Sequence, residues 1–241
     1  MEKYIFFVSL LIVLTGCTKI GTERIDANKD KINESMLLES TTENEEDVTL
    51  LSDVVSYLVL VNKEKGLPST YMPDDLVVPQ VLNVDYQVSE AILMRREAAQ
   101  MLEKLFQTAT NEAGYTLLAV SGFRSYEAQA KLYNEYVQTY GQIEADRFSA
   151  QPGHSEHQTG LAMDVTSESV TKQLDQTFGE TPKGQWLEKN AHRFGYIIRY
   201  PEGREQDTGY MYEPWHVRYV GVEPATEITE KGLILEEYLA N

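Results

Sequence analysis

Two of the four histidines in the chain stand among other reactive side chains. In "PGHSEHQTGLAMDV" His157 and Asp164 are seven positions apart; in "YMYEPWHVRYVG" Glu213 and His216 are three apart. Pro152-Gly153 marks a loop and "LAMDV" alternates like a strand, with Leu161, Met163 and Val165 on one face and Ala162 and Asp164 on the other. An aspartate in a buried strand is costly unless it is paired or bound to a cation. Taken alone, a His and an Asp seven apart are weak evidence, and a structural hydrogen bond explains Asp164 better than a metal does. In the second stretch, positions i and i+3 of a regular strand face opposite ways, so Glu213 and His216 can meet only if the chain bends. Pro214 holds Glu213 extended and makes such a bend reasonable. A surface glutamate beside a Trp-His pair at a strand edge is the plainer alternative. A third stretch, "SGFRSYEAQ", presents Arg124 at the start of a helix, with Gln129 on the first turns of that helix. Arginine holds a carboxylate or a polarised carbonyl through paired hydrogen bonds, although by itself it would be read as a surface ion pair.

Together the first two stretches supply two imidazoles, one carboxylate and a spare glutamate. That is the three-ligand set of a catalytic zinc, which keeps its fourth position open. Beside such an ion a carboxylate can act as general base, and Glu213 is the candidate.

The elements that must position these residues follow from apolar spacing. "YLVLV" predicts a strand over Tyr57 to Val61. Ile92, Leu93, Ala98, Met101, Leu102, Leu105 and Phe106 recur at helical spacing, so a helix is expected from a Ser89 cap to Ala113. "YTLLAVSG" reads as a strand ending at Ser121-Gly122. Ser125 and Gly141 bracket a second helix. A buried strand is expected over 161–165, a helix from Pro182 to Phe194, strands at "YIIRY" and "HVRYV", and a terminal helix from about Ala225 to Leu239. Irregular alternation with short loops predicts an α+β fold with a small central antiparallel sheet flanked by helices.

The N-terminus "MEKYIFFVSLLIVLTGC" carries an apolar run from Ile5 to Leu14. This is too short for a membrane span, which needs roughly 20 residues, and it fits the core of a secretory signal. The L-T-G-C ending resembles a bacterial lipobox, which implies a signal peptide over 1–17 and a lipid on Cys17, the chain's single cysteine. Internal disulfides are thereby excluded. Residues 18–49 are polar and acidic, as expected of a flexible tether, and residues 50–241 form the expected domain. The net charge of −17 excludes nucleic acid as a partner, because phosphate binding needs clustered Lys and Arg.

The motifs "SGFRSYEAQ", "PGHSEHQTGLAMD", "WLEKNAHRFGYIIRYP" and "TGYMYEPWHVRYVG", in that order, resemble the VanY-type D-alanyl-D-alanine carboxypeptidases. These belong to the LAS group of zinc peptidases, and the resemblance runs from about Tyr57 to Leu239. It implies the LAS-type peptidase fold with one zinc per chain, held by His157, Asp164 and His216. Glu213 would be the general base, and Arg124 would polarise the scissile carbonyl. Ser155 and Gln129 would hold the terminal D-alanine, and Trp215 would pack behind the metal; His154 and His192 match no ligand position. The implied reaction is hydrolysis of the C-terminal D-alanine from peptidoglycan stem peptides by a monomer, anchored by lipid at the extracytoplasmic face of a bacterial membrane. Relatives also suggest L,D-carboxypeptidase action on the tetrapeptide stem, endopeptidase action, or, as in the hedgehog domain, a non-enzymatic zinc-stabilised binding module. Arg124 and Glu213 argue against the last, since a structural zinc needs neither.

Overall fold

Strand pairing sets the centre of the molecule, and its register decides which side chains meet. The computed structural model describes residues 56–85, 90–168 and 174–240. The expected signal segment with Cys17, the tether 18–49 and the Ser89 cap lie outside the described residues. In chain order the elements are β1 (Leu76–Val77), β2 (Met94–Arg95), α1 (Arg96–Ala113), β3 (Leu118–Ser121), α2 (Tyr126–Tyr140), α3 (Gln142–Phe148), β4 (Ala162–Thr166), α4 (Thr177–Glu180), α5 (Pro182–Asn190), β5 (Tyr196–Ile198), α6 (Glu205–Thr208), β6 (His216–Tyr219), α7 (Val222–Lys231) and α8 (Leu235–Ala240). Among the described residues β3, β4, β6 and β5 form one antiparallel sheet in that order, and β1 and β2 form a separate short pair. The α+β expectation is met. No described helix is long and apolar enough to cross a membrane.

Helix α1 forms because Ala98, Ala99, Leu102, Leu105, Phe106 and Ala109 recur three and four apart and face the core. They pack with Leu161, Met163 and Val165 of the β4 segment and with Val217 and Tyr219 of β6. Each large apolar side chain so buried stabilises the fold by roughly 1.5–3 kcal/mol. Ser125 caps α2 as expected, its Oγ accepting from Ala128 N at 3.2 Å.

Three elements depart from expectation. The helix begins at Arg96 rather than near Ser89, and Ile92 and Leu93 are not on it. The backbone just before it is committed elsewhere: Ala91 O accepts from Gly122 N (2.8 Å) and Leu93 O from Phe123 N (2.6 Å). The Tyr57 to Val61 segment is not a strand. Its alternation reflects burial on both sides, with Tyr57 and Val59 against the main core and Leu58 and Leu60 against a second cluster around Ile197, Val220 and Ile228. Among the described residues no neighbouring strand serves its carbonyls; Arg218 Nη2 donates to Tyr57 O and Val59 O at 3.0 and 2.7 Å. The terminal helix is two helices, because Gly232 takes a left-handed conformation that ends α7.

Candidate active site

The antiparallel pairing of β4 with β6 sets Asp164 directly opposite His216. Neighbouring side chains on one face of a sheet are about 4.5–5.5 Å apart at Cβ, so the register alone brings a carboxylate and an imidazole together. Asp164 also pairs with Ser121 across an irregularity in β3. His157 comes from the 3-10 turn Glu156–Thr159, just before β4. Thr159 locks this turn, its hydroxyl donating to Glu156 O at 2.5 Å and accepting from Leu161 N at 3.0 Å. Gly160 ends it with φ 69°. The conformation is not the only reason for glycine there, since a Cβ would lie 2.9 Å from Leu76 Cδ2 and 3.1 Å from Arg95 Cγ. The small residue thus admits the β1–β2 arm, which packs against it.

His157, Asp164 and His216 are all buried, and one ligand atom from each lies within 4.8 Å of the others. Asp164 presents one oxygen to each ring: Oδ2 is 3.3 Å from His157 Nε2, and Oδ1 is 3.1 Å from His216 Nδ1. Those separations approach the ~3.3 Å edge of a tetrahedron with metal–ligand bonds of about 2.0–2.1 Å. The far nitrogen of each ring is occupied. His157 Nδ1 lies 2.8 Å from Gly122 O, and His216 Nε2 lies 3.3 Å from Glu156 Oε2. A carbonyl and a carboxylate are acceptors, so each ring directs its proton outward and its lone pair inward. The donor set therefore fits a divalent cation of zinc type.

The bend required between Glu213 and His216 is present as a turn through Pro214 and Trp215, closed by His216 N donating to Glu213 O at 3.2 Å. It leaves Glu213 Oε2 3.9 Å from His216 Nδ1. Burial pushes the Glu213 carboxyl up to about 8, with Asp164 and Glu156 adding to the rise, while His216 and Arg124 pull the other way. Burial also acts to lower His216, but its contacts with Asp164 and Glu156 outweigh this and raise it to about 9. Burial similarly depresses His157, against the pull of Asp164. Burial tends to raise Asp164, yet the two imidazoles hold it well below the usual carboxylate range. A cation at the centre would take the place of the shared proton and favour neutral rings and an ionised Glu213.

Arg124 is fixed at both ends. Its backbone N donates to His157 O at 3.1 Å, and its guanidinium donates to Ser121 Oγ (2.8 Å) and Gln129 Oε1 (2.9 Å). Gln129, expected to hold substrate, uses its amide otherwise: one end receives Arg124 and the other donates to Ala150 O at 2.7 Å. Its observed contacts steer the arginine. Arg124, Gln129, Ser155, Trp215 and Glu213 all line one cavity of about 590 Å³ with the three candidate ligands. His154 sits apart, Nδ1 2.7 Å from Asn62 O, and His192 lies on the distant 3-10 turn Ala191–Phe194.

Sequence reasoning missed Glu156, Arg199 and Arg218, which form a buried ion cluster against His216. The signal was available in "SEH" and "HVR". Glu156 precedes one candidate ligand, and Arg218 is two residues beyond another on the same strand, hence on the same face.

The chain matches the family described as VanY, D-alanyl-D-alanine carboxypeptidase, over residues 91–222. YodJ of Bacillus subtilis (strain 168), a protein with a carboxypeptidase name, is 47% identical over 184 residues, covering 75% of this chain and 66% of that one. A D-alanyl-D-alanine carboxypeptidase of Enterococcus faecalis (strain ATCC 700802 / V583) is 36% identical over 194 residues, covering 76% of this chain and 65% of that one. The chain thus spans just under two thirds of the length of these two relatives. Among solved structures, the LD-carboxypeptidase LdcB superposes with a TM-score of 0.72 at 45% identity, over 76% of this chain and 86% of that one. The vancomycin-resistance D,D-pentapeptidase VanY of a VanB-type cassette, in complex with Zn(II), superposes with a TM-score of 0.63 at 35% identity, over 76% of this chain and 98% of that one.

Proposed function

The chain belongs to the VanY family of D-alanyl-D-alanine carboxypeptidases, and from that premise we propose that it removes the C-terminal D-alanine from peptidoglycan stem peptides with one zinc ion. The observation that carries the reading is the convergence of His157, Asp164 and His216 in a cavity that also holds Glu213 and Arg124. His157 Nε2, His216 Nδ1 and an oxygen of Asp164 would hold the metal. When bound, zinc supplies Lewis acidity that polarises the scissile carbonyl and acidifies water. Glu213 takes the proton of the attacking water on its carboxylate and returns it to the leaving amine, so that one group serves as base and then acid. Arg124, held by Ser121 and Gln129, offers its guanidinium to the negative charge that develops on the carbonyl oxygen, a type of interaction that contributes roughly 3–4 kcal/mol per donor. Ser155 and Trp215 line the same cavity, where they contact the peptide, and the buried walls keep bulk water from the reacting atoms.

The similarity to LdcB supports a second reading, cleavage of the L,D bond of the tetrapeptide. Incubation with defined muropeptides and mass measurement separates the two. Loss of one alanine from pentapeptide is expected; loss from tetrapeptide alone would assign L,D-activity, and no product with zinc present would refute the enzyme. For the segment before the domain, the L-T-G-C sequence supports lipid attachment at Cys17, which would hold a monomeric enzyme at the outer face of the membrane. Cys17→Ser is expected to move the protein from the membrane fraction to the medium, and unchanged partitioning would overturn the anchor.

A further inference from the structure

We propose that Glu156 is a positioning residue for the metal centre: together with Arg199 and Arg218 it dictates which nitrogen of His216 faces the ion. The proposal rests on the reading that His157, Asp164 and His216 hold a metal.

Glu156 is almost wholly inaccessible, on the turn immediately before His157. Its two oxygens are divided. Oε1 accepts from Arg199 Nε at 2.8 Å and from Arg218 Nη1 at 2.6 Å, whereas Oε2 is turned to His216 Nε2 at 3.3 Å. A carboxylate paired with two guanidinium groups is an acceptor only. The His216 nitrogen that faces it therefore carries a hydrogen, and Nδ1, which faces the second carboxylate, is the nitrogen left bare when a cation takes the place of the proton between it and Asp164. Nδ1 is the atom that points at Asp164. A glutamate outside the ligand set thus makes one of the two tautomers the ligating one.

The arginines are themselves held from outside. His216 and Arg218 are alternate residues of β6 and share a face. Arg199 follows β5, the strand paired with β6, and its backbone N donates to His216 O at 3.1 Å. Its guanidinium grips Glu236 of α8 at 2.6 and 3.0 Å, while Arg218 reaches the Tyr57 and Val59 carbonyls. Neither guanidinium is therefore free to turn away and leave Glu156 to rotate. Stability alone is a poor reason for this arrangement, because buried ion clusters can often be replaced by apolar residues without loss.

The test is zinc affinity, measured by competition with a chromophoric chelator on the full chain. Glu156→Gln is expected to weaken zinc about 10–100-fold while far-UV circular dichroism stays native. It leaves Arg218 without its acidic partner, so Glu156→Gln/Arg218→Met is made alongside. The double variant is expected to recover thermal stability and still bind zinc weakly. Glu236→Gln, which leaves Glu156 in place and keeps an amide oxygen to accept from Arg199, is expected to weaken zinc far less than Glu156→Gln does. Nitrogen-15 shifts of the zinc-loaded wild type are expected to show His216 protonated at Nε2. Zinc affinity within twofold of wild type in either folded Glu156 variant would overturn the proposal. So would a wild-type His216 protonated at Nδ1, a result that needs no variant to fold. Failure of the wild type to bind zinc at all would instead refute the functional reading beneath it.

Discussion

Replacing Gly122 by alanine is expected to damage the metal centre without touching a ligand. The residue closes the turn between β3 and α2, where its backbone passes against the segment before α1. An added Cβ would lie 2.3 Å from Leu93 O, 2.8 Å from Ile92 C and 3.0 Å from Ile92 O. All three are backbone atoms, so no side chain can rotate to make room. The strand end must retreat, and it carries the carbonyl that accepts from His157 Nδ1 at 2.8 Å. Overpacking of this kind costs roughly 1–3 kcal/mol, and at about 2–4 °C of melting temperature per kcal/mol for a domain of this size the shift is easily read. Disturbing a partner that orients a metal-bound histidine costs a further 10–100-fold, roughly, in metal affinity. Chelator competition for zinc, with differential scanning of the metal-free protein, reads the two effects separately. Both are expected to fall. A variant as stable as wild type would refute the steric argument, and one destabilised with zinc affinity intact would show that the Gly122 carbonyl does not govern His157.

Other outcomes follow from the same geometry. Glu213→Gln removes the proton acceptor while leaving all three ligands, so it is expected to retain zinc and lose about 10²–10⁴ in kcat; near-normal turnover would remove its assigned role. Arg124→Ala is expected to reduce kcat about 10²–10³-fold, and Gln129→Ala, which only frees the guanidinium, to reduce it less; equal losses would point to direct contact of Gln129 with substrate. Zinc at about a thousand times its dissociation constant should stabilise the folded chain by roughly 4 kcal/mol, seen as a melting temperature that falls on chelation. His157→Ala should abolish that response.

The candidate ligands were legible in the sequence because His157, Asp164 and His216 sit in short motifs whose residue types suit one chemistry, and the pairing of β4 with β6 brings two of them together. Ser125 and the apolar spacing of α1 and α2 were legible for local reasons, capping and periodicity. What could not be read depends on partners far along the chain. The Tyr57 to Val61 alternation has the period of a strand, but its carbonyls are served by a guanidinium from β6 rather than by a strand. Ile92 and Leu93 have helical spacing with the residues after them, but their stretch of backbone supports the Gly122 turn. Glu156 stands beside His157 in the sequence, but the arginines that bury it lie 43 and 62 positions away, so its burial could not be read.

The cross-strand pairing of Asp164 with His216 also bears on the order of events in folding. The two residues are 52 positions apart, and a slip of one residue between β4 and β6 would send one of them to the other face. A competent metal site therefore cannot precede correct closure of this long loop. Zinc is expected to engage after the rate-limiting step and to act on the exit from the native state. In stopped-flow measurements it should slow unfolding and leave the refolding rate nearly unchanged. The ion would then serve as a lock on a register that the chain has to find without it.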